Sequence, residues 1–435
     1  MLPFIKKFIT KEKFVFLPIS IILFFYGIFL NKLFFHIGVA PLSPIPFFSA
    51  NSSLLIFQIS LLIGSVFLLI IRPSNKNIYA MAIGIFSLLA ILELLCRIWL
   101  YALASEDTYK NYALIQEIPK NMLRWQPHHY LNYYPSPNYK NGLTSHNSLG
   151  YRGEEFSIKK PEGVFRIAIL GGSTVYTEQV KDDTKTFPYL LEQILKKKYG
   201  YANVQVINAG VPGYNSWESL INLEFRVLDL SPDMVIIYHG VNDAHARFVN
   251  PNNYSLDNSG RRKQWEYPKP KWWEQSTFLR TLSRRLGFSK QVNQESLIQS
   301  PYAIAAYSNY WSNRYKDHFL EIAKRNYPKY FEHNLRNMIA IDREYGIITI
   351  LSTWAYSPYF ADYMSFDHYK EAIKQNNDVV KAVGKMKNIP VFDFEKIMPK
   401  KPDLWSDGRH VNEAGALVKA ALFADFLDKT KVIPK

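Results

Sequence analysis

Between Phe165 and Phe394 the chain repeats one pattern. Short apolar runs rich in β-branched residues (FRIAIL, VQVIN, MVIIYH, IITILST, PVFDF) are separated by longer amphipathic stretches. A run this short and apolar on both sides reads as a strand buried on both faces, the kind found in parallel sheets. Between the runs, FPYLLEQILKKKYG has Pro188 near its start and Gly200 as its stop, and YFEHNLRNMIAIDREYG stops at Gly346. Those are the boundary signals of helices, and SWESLINLEFRVLDL reads as a third. The alternation predicts an α/β fold with right-handed crossovers and helices on both faces of the sheet. In such a sheet the chemistry lies outside the carboxyl ends of the strands.

The first hundred residues are built differently. Phe14 to Leu30 is a charge-free run of 17 residues, Ser53 to Ile71 one of 19, and Ile78 to Leu100 spans 23 with only Glu93 and Arg97 charged. Helices that cross a bilayer need about 17 to 25 such residues. Residues 1–104 are therefore expected to form a three-helix transmembrane anchor, with Glu93 and Arg97 paired one helical turn apart. A cleaved signal peptide, with Gly38-Val39-Ala40 as a loose cleavage site, is the competing reading of the first run; two spans follow it either way. Lys6, Lys7, Lys11 and Lys13 precede the first run and Arg72 and Lys76 follow the second, whereas the first loop has only Lys32 near a helix end. Positive charge kept inside puts the N-terminus in the cytoplasm and everything after about Tyr101 on the outer face of a multi-pass cytoplasmic membrane.

Residues 105–160 are polar and rich in Tyr, Asn and Pro, without sustained periodicity, and read as a connector that packs on the domain from 161 to 435. The formal net charge is +15, which suggests an anionic partner without choosing among nucleic acid, lipid headgroups and acidic glycan. The single cysteine, Cys96, excludes an internal disulfide framework and a cysteine-based zinc site.

Three of the predicted strands run into polar or glycine-rich ends: Gly171-Gly172-Ser173, Asn208-Ala209-Gly210 and Gly240-Val241-Asn242-Asp243. Near the C-terminus Asp407 and His410 stand three apart. The spacings of a phosphate-binding loop and of a Gly-x-Ser-x-Gly elbow are absent, the latter because position 175 is Val. Serine needs a base, usually histidine oriented by a carboxylate, and the oxyanion that forms needs donors such as a backbone amide at Gly210 or the Asn242 side chain. Together these are the parts of an acyl-transfer site.

The order Gly-Gly-Ser, Gly, Gly-x-Asn-Asp, Asp-x-x-His resembles the SGNH, or GDSL-like, hydrolase superfamily of esterases, lipases and carbohydrate acyl esterases, over about Phe165 to Leu427. The resemblance implies a flavodoxin-like parallel-sheet sandwich, Ser173 as nucleophile, His410 as base, Asp407 as the residue orienting it, and an oxyanion hole of Ser173, Gly210 and Asn242. It implies no metal and no cofactor. Gly172 departs from the family, which often has Asp there. Asn147 to Phe156, NSLGYRGEEF, is similar to the lead-in of membrane-linked members.

His239, His245 and Asp243 lack metal-ligand spacing and are assigned loop or pocket roles. Trp354 follows the fourth strand, where it lines a substrate pocket or packs in the core. Residues 246–330 form an insertion with 15 Lys and Arg against 6 Asp and Glu, interleaved with Trp265, Trp272 and Trp273. On the outer face such a segment suits lipid headgroups or an acidic glycan rather than nucleic acid, unless it is only a solvated loop. The leading expectation is an esterase acting on an acylated carbohydrate or lipid of the envelope. One alternative is an O-acyltransferase that uses the same residues and loads Ser173 from a membrane acyl-donor protein. The other is a catalytically silent glycan-binding or assembly module.

Overall fold

The structure, a computed structural model, describes residues 76–262, 267–292 and 316–434. The apolar runs Phe14–Leu30 and Ser53–Ile71, together with Lys263 and Trp265, lie outside the described residues. The chain divides into two compact units, one of Met1–Ile118 with Tyr267–Val292 and one of Pro119–Glu266 with Asn293–Lys435.

The second unit is built on the predicted alternation. Its elements are β1 (Phe165–Gly171), α1 (Ser173–Tyr176), α2 (Phe187–Tyr199), β2 (Val204–Gly210), α3 (Ser216–Asn222), β3 (Met234–Tyr238) and α4 (Val241–Arg247). They continue as α5 (Lys316–Arg325), α6 (Lys329–Glu344), β4 (Ile348–Ser352), α7 (Asp367–Lys387), β5 (Val391–Phe392), α8 (Phe394–Ile397) and α9 (Glu413–Thr430). The five strands pair in the order β2-β1-β3-β4-β5, all parallel. This is the doubly wound, flavodoxin-like order, in which the chain starts inside the sheet and reverses direction beside its first strand.

Alternation along β1 explains why both faces are covered. Ile167 and Ile169 enter one apolar cluster with Phe187, Leu191 and Leu195 of α2 and Ala420, Phe423 and Leu427 of α9. Ala168 and Leu170 enter the other, with Leu335, Met338 and Ile339 of α6 and Val379, Val380 and Val383 of α7. A strand with apolar residues on both sides has no face to give to water. The helix boundaries follow the local signals: Pro188 stands in the first turn of α2, and Gly200 closes it at φ 76°, where a side chain would be strained.

Residues 119–160 belong to this unit and wrap the turn after Ser173. Arg124 makes a two-pronged contact with Glu178 at 2.7 and 2.5 Å. Buried Arg152 reaches Asp183 at 2.7 Å and donates to the carbonyls of Tyr176, Thr177 and Val180. His146 meets the Tyr176 hydroxyl at 2.8 Å.

In the first unit the third apolar run forms a long helix, Lys76–Ile98. Among the described residues no helix is long and apolar enough to cross a membrane. Glu93 and Arg97 pair as expected, at 2.6 Å. Glu93 also accepts hydrogen bonds from Ser276 Oγ and the amides of Thr277 and Phe278, so it caps a second helix, Thr277–Arg285, more than 180 residues later in the chain.

Candidate active site

The carboxyl ends of the strands meet in register: Gly171 of β1 lies opposite Gly210 of β2 and Tyr238 of β3. A Cβ at Gly171 would fall 2.3 Å from Val175 and 2.6 Å from the Tyr238 carbonyl, so only glycine lets the chain turn back here. Ser173 begins the one-turn helix α1. The amides of Val175 and Tyr176 return to the Gly172 carbonyl, while those of Ser173 and Thr174 have no protein acceptor among the described residues. Unspent donors at a helix start are ready to receive an anion.

His410 Nε2 lies 2.8 Å from Ser173 Oγ, and His410 Nδ1 lies 2.8 Å from Asp407 Oδ2. The three-residue spacing has a local cause. Asp407 Oδ1 accepts from the amides of Arg409 and His410 at 2.7 and 2.8 Å, closing a turn that leaves Oδ2 aimed at the imidazole. Burial opposes ionisation of Asp407, but the hydrogen bond and charge of His410 and the two amides outweigh it and hold the carboxyl below its ordinary value. An ionised Asp407 keeps the proton on Nδ1, so Nε2 accepts from the serine hydroxyl. Asp362 braces the same loop: it accepts from the Gly408 amide at 2.8 Å, and a Cβ at Gly408 would meet its carboxylate at 2.6 Å.

Asn242 stands beside the serine. Its Nδ2 donates to the Tyr214 carbonyl at 2.8 Å and would lie 2.5 Å from a Cβ at residue 172. Gly172 thus leaves the room that the Asn242 amide occupies against the backbone. The second hydrogen on that nitrogen remains for an oxyanion.

Gly210 is placed differently from expectation. It lies in β2, its amide donates to Asn208 Oδ1 at 3.2 Å, and a Cβ there would be 2.5 Å from the Tyr176 nitrogen. Its smallness lets α1 lie across the strand, and its donor is already used. The amide of Gly213, three residues on, has no protein acceptor among the described residues, and its φ of 85° favours glycine. Arg262 donates to the Gly213 carbonyl and lies 3.5 Å from Glu218, and buried Arg261 donates to the His245 carbonyl. These two arginines brace the site's loop.

Trp354 belongs to the core. It is 1 % exposed, and its indole donates to Thr174 Oγ1 at 3.3 Å behind Ser173, so it packs in the core rather than lining a pocket. Asp243 is also buried and accepts from Ser216 Nα and Oγ at 3.0 and 2.5 Å; burial lifts its pKa to about 7 despite these bonds. His239 meets Ser219 Oγ at 2.8 Å and burial lowers it to about 3, so it is neutral. Both hold α3 against the end of β3 and the start of α4.

Lys419 of α9 was not singled out by the sequence. It is 2 % exposed, and its Nζ donates to the carbonyl of Thr174, the residue after the serine, at 2.9 Å. The rings of Tyr238 and Phe187 lie 3.9 and 4.4 Å from that nitrogen. Burial pushes the amine well below the ordinary lysine range. The only sequence signal was one lysine on the inner face of an otherwise apolar helix, GALVKAALF.

A serine, an imidazole and a carboxylate in hydrogen-bonded sequence at the carboxyl end of a parallel sheet define a hydrolase of the acyl-transfer class. A family model for GDSL-like lipases and acylhydrolases matches residues 169–418, and the chain belongs to that family: it is an ester-bond hydrolase. Solved structures similar to it include a lipase/acylhydrolase from Enterococcus faecalis, at 20% identity over 62% of this chain and 99% of that one with a TM-score of 0.37. Another is a GDSL-like lipase from Bacteroides thetaiotaomicron, at 16% identity over 61% and 88% of the two chains with a TM-score of 0.35. A third is an acetyl xylan esterase, at 14% identity over 62% and 100% with a TM-score of 0.36. No curated protein matches the chain.

Proposed function

We propose that the chain is a membrane-anchored serine esterase whose catalytic unit faces outward and removes an ester-linked acyl group from an envelope glycan or lipid. The observation that carries the chemistry is the line Ser173 Oγ, His410 imidazole, Asp407 Oδ2, joined by two hydrogen bonds of 2.8 Å each. Ser173 Oγ attacks the ester carbonyl as its proton passes to His410 Nε2, and Asp407 holds the resulting imidazolium. The amides of Ser173 and Gly213 and the Asn242 side chain receive the oxyanion. Collapse breaks the bond to the alcohol, which leaves with the proton from His410. Water, deprotonated by His410, then releases the acid from the acyl-serine and restores the hydroxyl.

Attachment to the membrane is supported by the charge-free runs of 17 and 19 residues near the N-terminus, and outward placement by the basic residues flanking them. A fluorophosphonate probe tests the chemistry: it should label the wild type and fail to label Ser173→Ala. Equal labelling of both refutes the nucleophile assignment. A reporter active only outside the cytoplasm, fused after Lys435, tests the placement; a silent reporter refutes it.

A further inference from the structure

The helix Thr277–Arg285 in the first unit is built inside out. Its polar side faces the protein: Arg280 is 0 % exposed, and Thr277 and Thr281 are buried with it. Arg280 donates to the carbonyls of Tyr112 and Glu274 at 2.7 and 2.6 Å and pairs with Glu117 at 3.2 Å. Arg284 donates to the carbonyls of Asn111 and Ala113 at 2.6 and 3.2 Å. At 100° per residue, Leu279, Leu282 and Leu286 fall on the opposite side. They are 36, 42 and 60 % exposed, and Phe288 just beyond is 80 % exposed. A helix in water turns its apolar stripe inward and leaves its arginines out, because each buried apolar side chain gains about 1.5 to 3 kcal/mol. Here Arg280 and Arg284 are held by backbone carbonyls and the leucines are left outside.

We infer that this helix lies in the plane of a bilayer surface, its Leu279, Leu282, Leu286 and Phe288 stripe inserted among lipid acyl chains. The inference rests on the membrane attachment proposed above. Nine residues rise only about 13 to 14 Å, under half of a hydrocarbon core, so the helix cannot cross and must lie along the boundary. Its immediate support, the Lys76–Ile98 helix, carries exposed Ile85, Leu88, Ile91 and Leu95 on one side, a second apolar stripe left outside. That helix follows directly on the two charge-free runs. Around the stripe stand residues suited to headgroups: Trp272 is 72 % exposed, Lys271 lies over Trp273, and Arg285 lies over Trp99. Exposed Lys271 and Arg285 complement anionic headgroups. Glu93, by capping the helix start, ties its position to the Lys76–Ile98 helix.

The test uses the full chain carrying Cys96→Ser, with single cysteines from Leu282→Cys, Leu286→Cys or, on the exposed side of α9, Leu417→Cys. Each is labelled with bimane and reconstituted into phosphatidylcholine–phosphatidylglycerol vesicles with or without brominated acyl chains. Brominated lipid should quench labels at 282 and 286 at least threefold more than the label at 417. Vesicle flotation is measured alongside, and small-ester turnover confirms that each variant is folded; Leu279→Cys replaces any that is not. If the protein floats but 282 and 286 are quenched no more than 417, water or protein covers the stripe and the in-plane assignment is overturned while attachment stands. A protein that does not float overturns both.

Discussion

The two units distribute polarity in opposite ways. In the sheet unit, apolar side chains fill both faces of the sheet, and its buried cations, such as Arg152, Arg166, Arg247 and Lys419, donate to backbone carbonyls. Arg247, for example, reaches the carbonyls of Asn326 and Ala372 at 2.6 and 3.0 Å, and Lys419 that of Thr174. In the first unit Arg280 and Arg284 of Thr277–Arg285 are turned to backbone carbonyls while Leu279, Leu282 and Leu286 are exposed. The same transfer energies apply in both, so the contrast is the one that the proposed lipid surface at this helix would produce, with water around the sheet unit. On that proposal chemistry and anchorage lie in different units, and substitutions in the two should separate as well.

The largest effect is expected at the serine and histidine. Ser173→Ala or His410→Ala should lower kcat for a small ester by about 10⁴-fold or more with little change in melting temperature. A steady-state assay with a melting curve checks this, and unchanged turnover in either variant would show that the 2.8 Å contacts do no chemistry. Asn242→Ala removes one oxyanion donor and should cost about 10² to 10³ in kcat with KM nearly kept. A loss confined to KM would instead make Asn242 a substrate-binding group.

Lys419→Met should lower kcat by about tenfold, through loss of one hydrogen bond that positions the backbone after the serine. The same variant tests the cost of burying the amine. Because the folded pKa is depressed, the unfolded chain takes up a proton that the native state does not, so stability falls as pH drops from the unfolded value near 10.5 toward the folded one. The melting temperature of Lys419→Met relative to wild type should therefore be higher at pH 7 than at pH 10. A difference that does not vary with pH would mean that Lys419 stays charged over its aromatic rings. The smallest effect on turnover is expected in the other unit: Leu286→Asp should leave small-ester kcat within about twofold while weakening vesicle binding. Loss of turnover there would break the separation of the units.

Much of the site was legible because its causes are local. Asp407 and His410 are joined by a turn that the three-residue spacing itself closes, and Ser173 follows a strand whose apolar pattern ends on two glycines. The sequence pointed to Gly210 as an oxyanion donor, but in the fold its amide is taken by Asn208 Oδ1, whereas the amide of Gly213 has no protein acceptor among the described residues. Trp354 offered two readings, and its burial decides for the core. Arg261 and Arg262 fall in the basic insertion read as facing headgroups or glycan, yet each donates to a carbonyl of the catalytic unit.

The sequence by itself determined the strands' apolar pattern, the helix stops at Gly200 and Gly346, and the Asp407-x-x-His410 turn. Each depends on periodicity, backbone conformation or neighbours within a few residues. Only the tertiary structure decided that Lys419 supports the Thr174 carbonyl, that Glu93 caps a helix begun at Thr277, and that the leucines of that helix face outward. Those outcomes join residues far apart in the chain, and a buried donor takes whichever acceptor packing brings within about 3 Å, a distance that no local pattern encodes.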